Sequence, residues 1–294
     1  MKIRLWFLYG CLCCAVLPLV CDAEPVPDVL EQFATGSINW TRGMVTATGC
    51  SLPQNLNSPA VQEEEYDQAY QKAVLNLRET LSRLRVDHNN HMIDLFASHV
   101  PEKVKVEEMT SAAKIVNTTH TPEGGIEVTL EMNLYGGFAQ LMLPSDIRQV
   151  ETIRPLSGSG AANDSSDGNE AAKNPDRASE PDAYSGLIVD ARGIGASPSM
   201  VPVLVDENNH EVYGPNFVSR EFAVQHGMCR YVREPEHSYA LPRVAPNPLL
   251  VKGLRAASTG SCDIVISNSD ASKLRGVSSH LELLKQCRVV IIID

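Results

Sequence analysis

Residues 126–134 read Ile-Glu-Val-Thr-Leu-Glu-Met-Asn-Leu. Apolar and polar side chains alternate without a break, which is the period of a β-strand with one face in a core and the other in water. Pro122-Glu123-Gly124-Gly125 supplies a turn just before it, so Ala113 to Thr119 is the expected returning partner in an antiparallel hairpin. The dry face of such a hairpin needs a cover.

That cover lies upstream. Tyr66, Ala69, Tyr70, Ala73, Val74, Leu77, Leu81 and Leu84 recur every three or four residues, the spacing of a helix with one buried stripe. Glu63, Glu64, Glu65 and Asp67 near its start and Arg78, Arg83 and Arg85 near its end would complement the helix dipole. Burying the larger members of the stripe is worth on the order of 10 kcal/mol before chain entropy is subtracted. Ile38 to Thr48 has the residue types of a further strand, and a shorter helix is expected over His91 to His99. Residues 37–153 therefore read as an α+β domain, a small antiparallel sheet packed by a long helix.

From Pro155 to Ala183 the composition shifts to Ser, Gly, Ala, Asn, Asp and Glu, with Leu156 the single large aliphatic residue. Such a stretch is expected to be a disordered linker over residues 155–183, spanning roughly 30 Å as a tether. Residues 184–294 then read as a second module, α/β in class. Leu187-Ile-Val-Asp190 is a buried strand running into the Gly193 turn, and Val201 to Val205 with Glu211 to Tyr213 forms a hairpin around Asp206-Glu-Asn-Asn209. The module closes with strand Asp263 to Ile266, helix Asp270 to Lys285 and strand Arg288 to Ile293. Leu274, Val277, Leu281 and Leu284 mark the inner face of that helix, Ser269 or Asp270 caps it, and the unit is expected to be a right-handed βαβ with parallel strands.

The whole chain of 294 residues carries 25 Lys and Arg against 36 Asp and Glu, a formal charge of −11, which argues against a nucleic acid partner. Lys2 and Arg4 precede an apolar run from Leu5 to Val20 interrupted only by Gly10 and Pro18, followed by Cys21-Asp22-Ala23. This is the pattern of a secretory signal peptide over residues 1–23, too short to span a bilayer. Lipidation at Cys21, the one route to membrane association, is disfavoured because Val20 stands where Gly, Ala or Ser is expected. Removing the leader leaves Cys50, Cys229, Cys262 and Cys287. Export makes disulfides admissible, and Cys262 with Cys287 is the first pair to test, because each precedes an apolar run. Two buried thiols are the alternative.

Candidate chemistry is sparse. Gly193-Ile194-Gly195 follows a strand, but Pro198 stands where the phosphate-binding fingerprint needs its third glycine, so a tight turn is the better account. His88 and His91 lack a third metal ligand, and the Asp206 to His210 loop lacks the glycine and later Glu of a calcium loop. Asp190 and Arg192 are expected to pair and organise the turn that follows them. Asn39-Trp-Thr, Asn117-Thr-Thr and Asn163-Asp-Ser match the glycosylation acceptor pattern. No catalytic residue, metal or cofactor is assigned.

Ile38 to Gly49 with Trp40, the helix with Ala69 and Ala73 that ends in Leu77 to Val86, and Gly125 to Pro144 together resemble a family of bacterial envelope proteins. The family comprises small outer-membrane lipoproteins, flagellar basal-disk lipoproteins and the amino-terminal part of flagellar assembly protein T. The resemblance covers about residues 37–150, and Cys50 departs from the family's second turn glycine. Residues 184–294 look similar to a second domain found beside the first in exported bacterial proteins. The resemblance implies a periplasmic or outer-membrane-associated protein without enzymatic activity, which assembles with envelope or flagellar basal-body components or with itself. The alternative is a solute- or glycan-binding module with a pocket between the two halves. Trp40, Tyr135, Phe138 and Tyr213 are the aromatic residues to inspect as an interface, against the ordinary alternative that they are core.

Overall fold

The computed structural model describes residues 27–53, 59–98, 100–147, 184–258 and 260–294. The expected leader, the expected linker, lipidation at Cys21 and the Asn163 acceptor lie outside the described residues. In the first half, β1 (Leu30–Gln32), β2 (Gly36–Asn39) and β3 (Met44–Cys50) lead to α1 (Pro59–Ser82), α2 (Met92–Ser98) and α3 (Val100–Ser111). The hairpin β4 (Lys114–His120) and β5 (Ile126–Asn133) follows, and α4 (Gly137–Met142) closes the half. The five strands form one antiparallel sheet in the order β1-β2-β3-β5-β4.

The alternation read in residues 126–132 is the observed burial of β5, with Ile126, Val128, Leu130 and Met132 inward. The segment from Ile38 to Thr48 is two strands rather than one, because Gly43, at φ 65°, turns the chain back on itself. Helix α1 covers the sheet with Ala69, Ala73, Leu77 and Leu81 fully buried. It lies close on β3: a Cβ on Gly49 would stand 2.2 Å from the Ala69 carbonyl oxygen and the Ala73 nitrogen. Small residues on both sides therefore set the depth of the helix. The dipole reading needs correction, since α1 begins at Pro59 and ends at Ser82. Glu63 to Glu65 fall beyond its first turn, and Arg83 and Arg85 fall past its end.

In the second half β6 (Gly186–Asp190), β7 (Leu204–Val205) and β8 (Glu211–Tyr213) precede α5 (Arg220–His226), β9 (Arg230–Val232) and α6 (Pro235–Ala240). Then come β10 (Pro248–Ala256), β11 (Ile264–Ile266), α7 (Asn268–Arg275), α8 (Ser278–Lys285) and β12 (Val289–Ile292). The sheet order is β8-β7-β11-β10-β6-β12-β9. Strands β10, β6, β12 and β9 run parallel, whereas β11 is antiparallel to β10.

The closing strand, helix and strand are present, with two corrections. First, β10 and β6 lie between β11 and β12, and β11 runs opposite to the parallel group, so the pair is not a parallel neighbour unit. Second, the helix is broken. Gly276 ends α7, and Val277 is extended at φ −133° and ψ 130°, which rephases the stripe. Leu283 and Leu284 turn inward while Leu281 is 40% exposed. The cap is Ser267, whose hydroxyl accepts from the Asp270 amide at 3.0 Å.

The halves share one hydrophobic cluster. Val201 and Met200 donate backbone hydrogen bonds to Val86 and Arg85 at 2.8 and 3.1 Å, and Gly136 donates to Val224 at 2.7 Å. The Arg220 guanidinium spans the seam to the carbonyls of Gln140 and Pro144, both at 2.8 Å, and so neutralises the negative end of α4.

Candidate functional site

Of the four aromatic residues singled out as an interface, Trp40, Phe138 and Tyr213 are buried and form no surface patch. Their partners explain why. The Trp40 indole donates to Glu31 at 3.0 Å and meets the Tyr231 ring edge-on at 6.0 Å, across the seam. Tyr213 is enclosed in the second half, where its hydroxyl donates to the Met228 carbonyl. Tyr135 is half-buried and stands between two glycines with left-handed backbones, Gly43 of the first half and Gly227 of the second. Added Cβ atoms there would lie 2.3 and 2.6 Å from its ring.

Cys262 and Cys287 are free thiols, as are Cys50 and Cys229. The premise that their strands are neighbours fails on the sheet order, so the sulfurs are not brought side by side. Burial pushes the Cys229 and Cys262 thiols up to about 12 and Cys287 up to about 11. These are protonated, unreactive groups at neutral pH.

The remaining sequence candidates are engaged with one another. Arg192 grips Asp190 through two bonds of 2.8 and 2.7 Å, which holds the Asp190 carboxyl below its ordinary value. The Gly193 amide, in the turn considered for phosphate, donates to the Asp294 carboxylate at 3.0 Å. Asp206 accepts from the amides of Asn208 and His210, both at 2.9 Å, and from Arg275 at 2.9 Å, so the loop weighed for calcium is closed by a guanidinium. His88 crosses the seam to Asp263 at 3.4 Å, and His91 faces Asp94 at 3.9 Å. Among the described residues no three His, Cys, Asp or Glu side chains gather as a metal site. No helix among them is long and apolar enough to cross a membrane.

The feature that the sequence did not announce is a cleft of about 560 Å³ on the rim of the second sheet. Tyr135 of the first half forms one wall, with Phe222, Leu241 and Pro242 adding apolar surface, and Gln225, His226 and Gln286 at the margin. Its charge comes from Arg230, Arg243 and Arg288, and among the described residues no carboxylate lines it. The parallel pairing of β9 with β12 puts two of these together. Arg230 is registered against Val290, and Arg288 lies two residues earlier, just before β12, so the pairing brings both to the same end of the two strands.

The three guanidinium groups differ in what they hold. Arg243 donates to the Cys287 carbonyl at 2.7 Å, to His226 at 2.9 Å and to Gly227, which ties the end of α5 to the turn before β12. Arg288 donates to the Ala245 carbonyl at 3.0 Å, and its buried Nε has no protein partner. The buried Nε of Arg230 likewise has none. Burial raises the Tyr135 phenol, while the charges of Arg243 and Arg230 pull against that rise, so the positive field reaches the tyrosine. Nothing in the sequence pointed to positions 230, 243 and 288 as a set, since they come from a strand, a loop and a second strand edge.

Among curated proteins, none matches the chain. Residues 186–294 match a family model described as the second domain of Treponema pallidum Tp0624, so the second half, which carries almost the whole cleft, is similar to that domain.

Proposed function

We propose that the chain is a non-enzymatic protein exported to the bacterial periplasm, where it acts by binding a component of the cell envelope. The partner class is an envelope or flagellar basal-body component, or a second copy of the chain. Residues 1–23, read as a leader, support the export, and the likeness of residues 37–150 to envelope lipoproteins supports the partner class.

The observation that carries a binding role is the arginine-lined cleft where Tyr135 of one half meets the other. A concave wall with apolar faces and a few convergent polar groups is the usual form of a recognition site. Two acidic residues singled out in the sequence are held in structural pairs, Asp190 with Arg192 and Asp206 with Arg275. A hydrolase or transferase needs an acid or base free to exchange its proton.

The test is a photo-crosslinking side chain placed at Gln225, which is exposed at the margin of the cleft, in intact cells that export the protein. A single adduct with a defined envelope component is expected. If the precursor stays in the cytosol, or if the purified chain turns over a substrate and Asp190→Asn abolishes turnover without unfolding, the reading is wrong.

A further inference from the structure

We infer that the cleft framed by Arg230, Arg243 and Arg288 is an oxyanion-binding site, and that its ligand is a small organic anion with two or more carboxylate or phosphate groups on a short carbon skeleton. The inference rests on the reading of this cleft as a recognition site and adds a small ligand to the envelope partner proposed above. Three cationic side chains meet in one concavity with no carboxylate among its lining residues, in a chain whose formal charge is −11. The nearest carboxylate bonded to a lining residue is Glu282, which accepts from Gln286 at 3.1 Å and faces Lys285 at 3.8 Å. Guanidinium groups around one cleft repel one another, and among the described residues that line it there is no acid to compensate them.

Each arginine has a separate part. Arg243 spends its donors on three carbonyl oxygens and holds the wall in place while keeping its full charge. Arg230 and Arg288 carry the unpartnered buried Nε atoms. Both side chains line the cleft, and an oxyanion is the partner that a guanidinium group fits best, through two parallel bonds. Two such groups, one at the start of β9 and one just before β12, select a ligand with two anionic groups over one with a single group. A volume of about 560 Å³ admits a small metabolite or one sugar unit. The ring of Tyr135 and the side chains of Phe222, Leu241 and Pro242 give its carbon skeleton an apolar surface.

The experiment measures thermal unfolding and titration calorimetry of the full chain with citrate, inorganic phosphate and acetate, at ionic strength held constant with sodium chloride. Citrate is expected to raise Tm by several degrees and phosphate by less, with acetate indistinguishable from chloride. Arg230→Gln and Arg288→Gln should each weaken citrate at least tenfold while keeping the native circular dichroism. Should either variant fail to fold, Gln225→Glu adds a carboxylate at the exposed margin without touching a buried group, and should weaken citrate about threefold or more. No rise with any of the anions overturns the inference, and so does a rise that survives in Gln225→Glu and in a folded arginine variant. A crosslinked envelope partner at Gln225 with no citrate effect sinks the oxyanion site and leaves the binding role. Citrate binding with no envelope adduct does the reverse.

Discussion

Tyr135 and Gly227 meet across the seam so closely that a Cβ on the glycine would lie 2.6 Å from the tyrosine Cε1. The backbone at Gly227, φ 73° and ψ 159°, belongs to a region that side chains with a Cβ essentially never adopt. Gly227→Ala therefore meets strain and overlap at one site. It should lower stability by about 2 to 4 kcal/mol, read as a fall in the urea midpoint.

The seam should unfold with the rest of the molecule. Trp40 touches Tyr231 of the other half, and in a chain that lacks residues 1–23 it is the sole tryptophan, so its fluorescence there reports the junction. Fluorescence and far-ultraviolet circular dichroism should give coincident urea transitions. Arg220→Ala removes the bonds to Gln140 and Pro144 and should cost about 2 kcal/mol. A fluorescence transition that precedes the dichroism would mean that the halves part first.

Thiol chemistry should separate one cysteine from three. Cys229, Cys262 and Cys287 are buried and protonated, whereas Cys50 is partly exposed and lies 3.5 Å from the Glu127 carboxylate. In a chain that lacks residues 1–23, alkylation at pH 8 should modify Cys50 alone, with the other three reacting only in denaturant. Peptide mass mapping gives the answer, and a Cys262 to Cys287 crosslink in the protein isolated without reductant would contradict the arrangement.

Acid should act through Asp206. Arg275, aided by the amides of His210 and Asn208, holds its carboxyl well below the usual 3.8. The unfolded chain therefore binds this proton first as pH falls. The stabilisation is fully present above about pH 4 and is lost on the way down to the folded value. Asp206→Asn should lower stability at pH 7 and make the decline between pH 4 and 2 shallower, as measured by urea unfolding across that range.

What could be read from the sequence was local. The alternation in residues 126–134 gives β5, and the stripe with Ala69 and Leu77 gives the buried face of α1, because each periodicity records which side of one element is dry. Neighbour relations are another matter. Nothing in Asp263 to Ile266 or Val289 to Ile293 says that β10 and β6 will stand between them, and β10 itself, Pro248–Ala256, was not assigned as a strand. The disulfide expectation failed at this step, since it needed adjacency that only the complete sheet determines. The arginine cleft was hidden for the same reason. Its members lie 13 and 45 residues apart in sequence (230 to 243, 243 to 288), and only the pairing of β9 with β12 and the loop after α6 collects them.

The place of β12 between β6 and β9 carries a consequence for biogenesis. A nascent chain holds every strand of the first sheet once Asn133 has emerged, but the second sheet lacks an interior member until Ile292 does. Until then β6 offers a bare row of amide and carbonyl groups along one side, open to pairing with other unfinished molecules. A stop codon between Ala256 and Val289 would accordingly leave a sticky, half-closed product destined for proteolysis, and not a functional protein shortened by a few residues.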